Sequence, residues 1–430
     1  MLSKPSVNRI DTRLPTGVKD FLPLKAARLE FLQNRLSEVF RRWGFRPVAP
    51  AVLEDLAVLE LGLGADLREK TFRFDDRQSG RLVAFPPDMT PQVARIAATR
   101  MHDMPLPFRL CYRGRVLRHA EQRLGKERQI HQAGVELIGL ESAEADAEMI
   151  AMSVECLQAV GAGEFTIDIG QIDFLRGILT NLPLNDQQSV NVRTLIASKD
   201  SSGLQRLLET LPLNDGQREE LLALPRLFGG QEVLERAAQT VRNPTAQRAL
   251  DNLHQVLDVL KAYNVERYVT IDLGELRGFD YHTGLIFQGF LTGFGRAVCA
   301  GGRYDNLLSR YGFPAPATGF SFDLYQLLLA LGNTLDSCGD QTTDILLFAA
   351  GSEKAPAQKL AATLRTQGYS VARDIICRDH QDSLDYARRM QFRYLLIFDS
   401  DDPQLTLVRT SDGTQSRITS EMIEAGDLRL

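Results

Sequence analysis

The chain has 430 residues, 44% hydrophobic and 24% charged, the balance of an ordinary globular protein with room for two or three domains. A formal net charge of −5 is no footprint of a dedicated nucleic-acid binder, and no window reaches the ~18 apolar residues of a membrane span. The N-terminus, MLSKPSVNRIDTRLP, lacks the apolar core of a secretory signal, so a cytoplasmic location is the default expectation.

Lys25 to Trp43 reads as an amphipathic helix, with Leu32, Leu36, Val39, Phe40 and Trp43 on one stripe and Gly44 just past its end. FRPVAPAVLE then turns extended, because Pro47 and Pro50 bar a helix. Strands are predicted over 71–76, 81–87, 108–120 and 129–140. Pro86, Pro87 and Pro91 bracket a predicted turn that holds Asp88 and Thr90. A helix follows over Ala143 to Val160, then a strand over 165–171.

From about 174 to 263 the pattern is helical, and we read this block as an insertion in the main domain. LPLND occurs at Leu182 to Asp186 and again at Leu211 to Asp215, each placed to end one helix and cap the next. Strands resume over 268–274, 283–291 and 296–301, which suggests a mostly antiparallel sheet covered by helices. The main domain is read as 1–331 and a polar linker as 332–343. Residues 344–430 are read as a small α/β domain with a largely parallel sheet, including a helix near Leu384 to Met390. The expected fold class is therefore α+β, with that small α/β domain at the C-terminus.

Five cysteines lie far apart without a CxxC pair, and the six histidines form no HExxH. Buried reduced thiols are expected, with neither zinc nor disulfides, and no cofactor is called for.

Several polar residues suit ligand binding. Arg118 ends a strand inside an arginine-dense segment and could clamp a carboxylate or phosphate, or form a surface ion pair. Gln132 and Glu136 alternate in phase with Ile130, so they share one face of a strand. A carboxylate beside an amide suits a ligand with an amino group or an imidazole N–H, although half-exposed strands carry such pairs routinely. Asp88 and Thr90 could face an ammonium or simply cap a helix. RGFDYHTG concentrates Arg277, Asp280, Tyr281 and His282 in one loop, and AGGRYD offers a glycine pair where a backbone can approach a ligand.

TGVKDFLP (Thr16 to Pro23), GFRPVAP (Gly44 to Pro50), the hairpin from Cys111 to Gly139, RGFDYHTG, AGGRYDNLL and GFSFDL occur in the order of the histidyl-tRNA synthetases, which the chain resembles over nearly its whole length. The resemblance implies a class II synthetase core, a six- or seven-stranded antiparallel sheet with helices, and a dimer built through the segment around Pro50. It also likens the C-terminal domain to an anticodon-binding domain. By the same resemblance a histidine-binding pocket is implied: Asp88, Thr90 and Gln132 at the amino group, Glu136 facing the imidazole, Arg277 near the carboxylate, with Arg118, Tyr281 and His282 beside them. Asp88 stands where the family has glutamate, and His282 where it has a second tyrosine.

The ATP side departs further. Ala120 replaces a glutamate, Gln326 replaces the motif 3 arginine, and Asp323 replaces a glycine, adding negative charge where a triphosphate would lie. Losing one transition-state donor typically costs about 10²–10³ in rate, so adenylation is expected to be lost. Glu121 to Glu127 adds acids where RNA would approach, and residues 344–430 carry 11 Lys+Arg against 13 Asp+Glu, which does not favour tRNA. A synthetase-like chain with these losses is similar to the non-catalytic paralogues that regulate ATP phosphoribosyltransferase. That likeness implies a short-form catalytic subunit as partner, histidine as feedback effector in the first step of histidine biosynthesis, and a homodimer within a hetero-oligomer. The alternatives are an active synthetase, expected to exchange pyrophosphate with ATP, and another synthetase-like module that senses uncharged tRNA or modifies a protein.

Overall fold

A computed structural model of the chain describes residues 12–119, 127–180, 182–279, 281–336, 342–349, 354–376, 379–399 and 404–430. The chain divides into two compact units, Met1–Cys338 and Gly339–Leu430.

In the first unit, α1 (Pro23–Arg42) turns Leu29, Leu32, Leu36, Val39 and Phe40 into the core. It ends before Gly44, whose φ of +81° suits glycine at that position. Then come β1 (Arg46–Pro47), β2 (Glu54–Asp55), α2 (Leu56–Gly62), α3 (Ala65–Glu69), β3 (Phe72–Asp75), β4 (Leu82–Phe85) and α4 (Thr90–Arg100). Helix α4 corrects the predicted turn: Pro91 sits in the first helical turn, where its missing N–H costs no bond, and Val93, Ala94, Ala97 and Ala98 are buried.

The strands β5 (Phe108–Leu117) and β6 (Gln129–Ile138) pair antiparallel, followed by α5 (Ala143–Ala159) and β7 (Phe165–Gln171). A largely helical stretch follows: α6 (Ile172–Leu179), α7 (Asp186–Ala197), α8 (Ser201–Glu209), α9 (Asp215–Ala223), a two-residue β8 (Phe228–Gly229), α10 (Glu232–Thr240) and α11 (Pro244–Ala262). Asn185 and Asn214, from the two LPLND segments, cap α7 and α9 in full capping boxes with Gln188 and Gln217. The unit closes with β9 (Val269–Asp272), β10 (Leu285–Leu291), β11 (Ala297–Arg303), β12 (Ala317–Asp323) and α12 (Leu324–Leu331).

Among the described residues the main sheet has nine strands, ordered β1-β5-β6-β12-β11-β10-β7-β9-β8. The six from β5 to β7 in that order are antiparallel, whereas β1 on β5 and β9 on β7 are parallel. The expected six or seven antiparallel strands are thus extended at both edges, by the two-residue β1 and β8, too brief to show periodicity, and by β9, which falls within the predicted strand 268–274. A small sheet, β2-β4-β3, stands apart. Helices α1, α5 and α12 pack together, and the core beneath them includes Phe40, Met149, Phe320 and Phe322.

The second unit contains β13 (Thr343–Ala349), α13 (Lys354–Thr366), β14 (Val371–Arg373), α14 (His380–Arg389), β15 (Phe392–Phe398), β16 (Gln404–Arg409), β17 (Gln415–Thr419) and α15 (Ser420–Ala425). Its sheet, β14-β13-β15-β16-β17, is parallel in the first two pairings and antiparallel in the last two, so it is mixed rather than largely parallel. Helix α14 starts earlier than its apolar residues suggest, because Asp379 caps it. Cys111, Cys156 and Cys299 are free and buried, and burial raises all three thiol pKa values. Cys338 and Cys377 lie outside the described residues.

Candidate functional site

A cleft of about 860 Å³ opens in the first unit, and all eight residues named for ligand binding line it. Strand β6 supplies Ile130, Gln132 and Glu136, as the alternation of a strand requires. Asp88 and Thr90 lie at the start of α4, which is why they lean over β6 rather than ride a free turn. Asp280 and Ala120 lie outside the described residues, as do 121–126.

Glu136 is 1% exposed. Its Oε1 accepts a hydrogen bond from the Tyr112 hydroxyl at 3.0 Å, and its Oε2 accepts a short one from Tyr304. Burial pushes this carboxyl up to about 8, although the hydroxyls of Tyr304, Thr90 and Tyr112 pull the other way. Glycines make the space: a Cβ on Gly319 would collide with Glu136 Oε2, and one on Gly134 with the Tyr112 hydroxyl. The Tyr281 ring stacks on Tyr304 at 5.7 Å, and its buried hydroxyl has no hydrogen-bond partner.

His282 packs edge-on against Tyr281, with Nδ1 3.1 Å from the Arg303 carbonyl. A carbonyl only accepts, so Nδ1 carries the proton and Nε2 keeps its lone pair. Burial lowers the pKa of this imidazole to about 4, so it is neutral. The glycine pair of AGGRYD makes room for protein: a Cβ on Gly302 would lie 2.9 Å from His282 Nδ1, and one on Gly301 would collide with Phe320. Arg303 itself is buried on Asp146 and Asp305, a structural role.

At the Asp88 end the groups interlock. Arg118 Nε donates to the Pro87 carbonyl at 2.5 Å, and its Nη2 reaches Asp88 at 3.2 Å. Gln132 Oε1 accepts from the Met89 N–H at 3.1 Å, while its Nε2 donates to Asp88 at 3.3 Å. Arg277 also lines the cleft, its side chain 65% exposed, with Nη1 2.6 Å from Gln288 Oε1. The end rich in Asp88, Gln132 and Glu136 supplies hydrogen-bond acceptors, which suits a ligand with an ammonium and a ring N–H.

The α12 end differs. Asp323 caps that helix, accepting from the Tyr325 and Gln326 N–H groups at 3.0 and 3.2 Å, and burial raises its pKa. Its carboxylate therefore takes the helix N-terminus where an anion would otherwise bind. Gln326 is buried on α12 and is not among the cleft-lining residues. Lys19 bonds both Glu127, at 2.5 Å, and the Tyr325 hydroxyl, at 2.8 Å. Sequence reasoning assigned no ligand role to Tyr112, Tyr304 or Ser321. Tyr304 lies inside the quoted GGRYD string, and Tyr112 faces Gly134 across the β5–β6 pair, the one local signal for it.

This is a class II synthetase-like fold, and a sequence model of the family described as histidyl-tRNA synthetase matches residues 17–327. The chain is similar to the histidyl-tRNA synthetase of Nostoc sp. PCC 7120, at 22% identity and TM-score 0.80 over 98% of this chain and all of that one, a likeness of fold. A Bacillus halodurans C structure described as an ATP phosphoribosyltransferase regulatory subunit/histidyl-tRNA synthetase reaches TM-score 0.81 at 27% identity, over 93% of this chain and 100% of that one. Among curated relatives, the ATP phosphoribosyltransferase regulatory subunit of Syntrophotalea carbinolica is 58% identical over 98% of both chains. That of Geobacter sulfurreducens is 51% identical over 96% of this chain and 95% of its own. The chain belongs to the ATP phosphoribosyltransferase regulatory subunits, a non-catalytic family built on the histidyl-tRNA synthetase fold. No helix among the described residues is long and apolar enough to cross a membrane.

Proposed function

We propose that the cleft binds histidine as a feedback effector, and that the chain activates a short-form catalytic subunit which joins ATP to phosphoribosyl pyrophosphate in the cytoplasm. The observation that carries this reading is the buried Glu136 carboxyl among three tyrosines, one of them without a partner for its hydroxyl. An imidazole N–H directed at Glu136 and an imidazole nitrogen facing Tyr281 would complete that set. Asp88, Thr90 and Gln132 would receive the ammonium, and Arg277 the carboxylate.

The decisive assay is phosphoribosyl-ATP formation by a short-form catalytic subunit, with and without this chain, over a histidine titration. Activity that depends on the chain and falls with histidine supports both parts. Activity indifferent to the chain rejects the partner, and dependence without feedback rejects the effector.

The retained Arg118 and Arg277 favour a second reading, residual adenylation. Against it stand Asp323 on the α12 N-terminus and Gln326 buried away from the cleft. Histidine-dependent ATP–pyrophosphate exchange is expected to be absent.

A homodimer within a hetero-oligomer is part of the proposal. Val52 (74% exposed), Leu53, Leu61, Phe74 and Leu82 form exposed apolar surface on the segment after Pro50 and on the small sheet. Sedimentation of the isolated chain at twice its monomer mass is expected, and a monomer at micromolar concentration rules this face out as a self-contact.

A further inference from the structure

The loop between β9 and β10 carries Arg277, Phe279, Tyr281 and His282 to the wall of the cleft. The Phe279 ring also meets two guanidinium groups, Arg176 of α6 at 5.4 Å and the cleft-lining Arg193 of α7 at 5.3 Å from its centroid. Arg176 also donates through Nη2 to the carbonyls of Phe279 and His282, each at 3.1 Å, while its Nη1 is held by Asp173 at 2.6 Å.

The loop is compact. The N–H groups of Tyr281 and His282 both bond the Gly278 carbonyl, at 2.9 and 2.8 Å, and the Phe279 N–H bonds the Leu276 carbonyl at 3.1 Å. Gly278 has φ +71°, and a Cβ there would collide with the His282 ring. Phe279 is thus tied by backbone bonds to the residues beside it in the loop and by the two guanidinium groups to α6 and α7. Farther along, α7 is pinned to the sheet by Lys199, which bonds both oxygens of Asp272 at 2.6 Å.

We infer that Phe279, held by Arg176 and Arg193, is a positioning residue that couples occupancy of the cleft to the order of helix α7. This rests on histidine being the ligand, as proposed above. Cation–π and charge-assisted contacts of this kind are directional, so they transmit orientation where a purely apolar contact would slide. The coupling follows contiguous contacts, and the element it biases is α7.

The test uses the full chain with L-histidine. Calorimetry gives the dissociation constant, and hydrogen exchange reports residues 186–197. In the wild type, saturating histidine is expected to slow exchange of that segment about threefold or more. Phe279→Leu keeps apolar volume without the aromatic face, so it tests these contacts even where Phe279→Ala fails to fold. In Phe279→Leu, at histidine concentrations that saturate the variant by its own calorimetric dissociation constant, the slowing of 186–197 is expected to be lost. Because α7 also lines the cleft, slowing by direct contact with the ligand would persist in this variant, and that outcome overturns the inference. Wild-type binding heat with no change in 186–197 overturns it as well. Absence of any binding heat in the wild type rejects the ligand assignment, and the inference with it.

Discussion

The two ends of the cleft share strands β6 and β12 yet settle their polar groups in opposite ways. At the Glu136 end, tyrosine hydroxyls converge on one buried carboxyl and the Tyr281 hydroxyl has no partner. At the α12 end, Asp323 accepts from two backbone N–H groups of its own helix, and Lys19 joins Glu127 to Tyr325. A buried donor left without a partner costs about 1–3 kcal/mol, a cost that a ligand's acceptor can offset. One end keeps a donor for a ligand at the cleft wall, whereas at the other Asp323 is bonded within the chain and the unpartnered Gln326 Oε1 is buried on α12, not among the cleft-lining residues. The outline of a pocket is therefore a weaker guide to function than the state of its donors and acceptors.

The sharpest way to break this comparison is Glu136→Ala. It removes the acceptor of both Tyr112 and Tyr304, leaving two buried donors at about 1–3 kcal/mol each. Histidine affinity is expected to fall by about 100-fold or more, with a lowered unfolding midpoint, measured by calorimetry and thermal denaturation. Unchanged affinity would move the ligand elsewhere. Glu136→Gln separates charge from shape. The folded carboxyl titrates near 8 rather than 4.5, so the folded state holds a proton that the unfolded chain has released between those values. Its contribution to stability is greatest below pH 4.5 and is lost as pH rises towards 8. Relative to wild type, Glu136→Gln should therefore gain stability from pH 5 to 8, and a constant difference would show that the carboxyl is ionised throughout.

Next in size is the acid limb. His282 is buried with its pKa lowered to about 4, so the unfolded chain binds its proton first as pH falls below 6.5. Stability is expected to drop by on the order of 3 kcal/mol between pH 6.5 and 4 from this group, since one pKa unit is about 1.4 kcal/mol. His131, also lowered to about 4 by burial and Arg115, acts in the same direction. His282→Asn retains a donor towards the Arg303 carbonyl and should flatten this limb. An acid limb as steep as wild type would mean that His282 is already protonated in the native protein.

Much of the cleft was legible in the sequence because its parts lie on regular strands. Gln132 and Glu136 share a face by alternation alone, and Ile130 joins them. The hairpin and the two LPLND caps follow from local rules as well. Three features did not. Helix α4 was hidden by Pro91, which marks a turn or a first helical turn equally well. Strands β1 and β8 have two residues each and no period. The Tyr112–Glu136–Tyr304 cluster joins β5, β6 and the residue just past β11, and only the pairing of β5, β6, β12 and β11 brings it together. Asp323 was read as a charge facing a triphosphate, whereas its geometry makes it first a helix cap.

That cap gives the third test. Asp323→Ala should cost about 1 kcal/mol, as the loss of an N-cap usually does, and leave histidine affinity unchanged. A fall in affinity comparable to that of Glu136→Ala would show that the two ends act as one site, which dissolves the comparison.

Lys19→Ala should have the smallest effect. The ammonium lies 4.5 Å from the Tyr325 ring centroid as well as on Glu127, but its side chain is 46% exposed, and contacts of that kind contribute about 0–1 kcal/mol. The unfolding midpoint should move by no more than about 2 °C, and histidine affinity should not move. The informative measurement is ATP binding by the variant. If the α12 end excludes nucleotide because Asp323 occupies the helix N-terminus, freeing Tyr325 and Glu127 from Lys19 changes nothing. If ATP binds once Lys19 is gone, the end is closed by a removable contact rather than by its charge, and the two ends differ in access instead of chemistry.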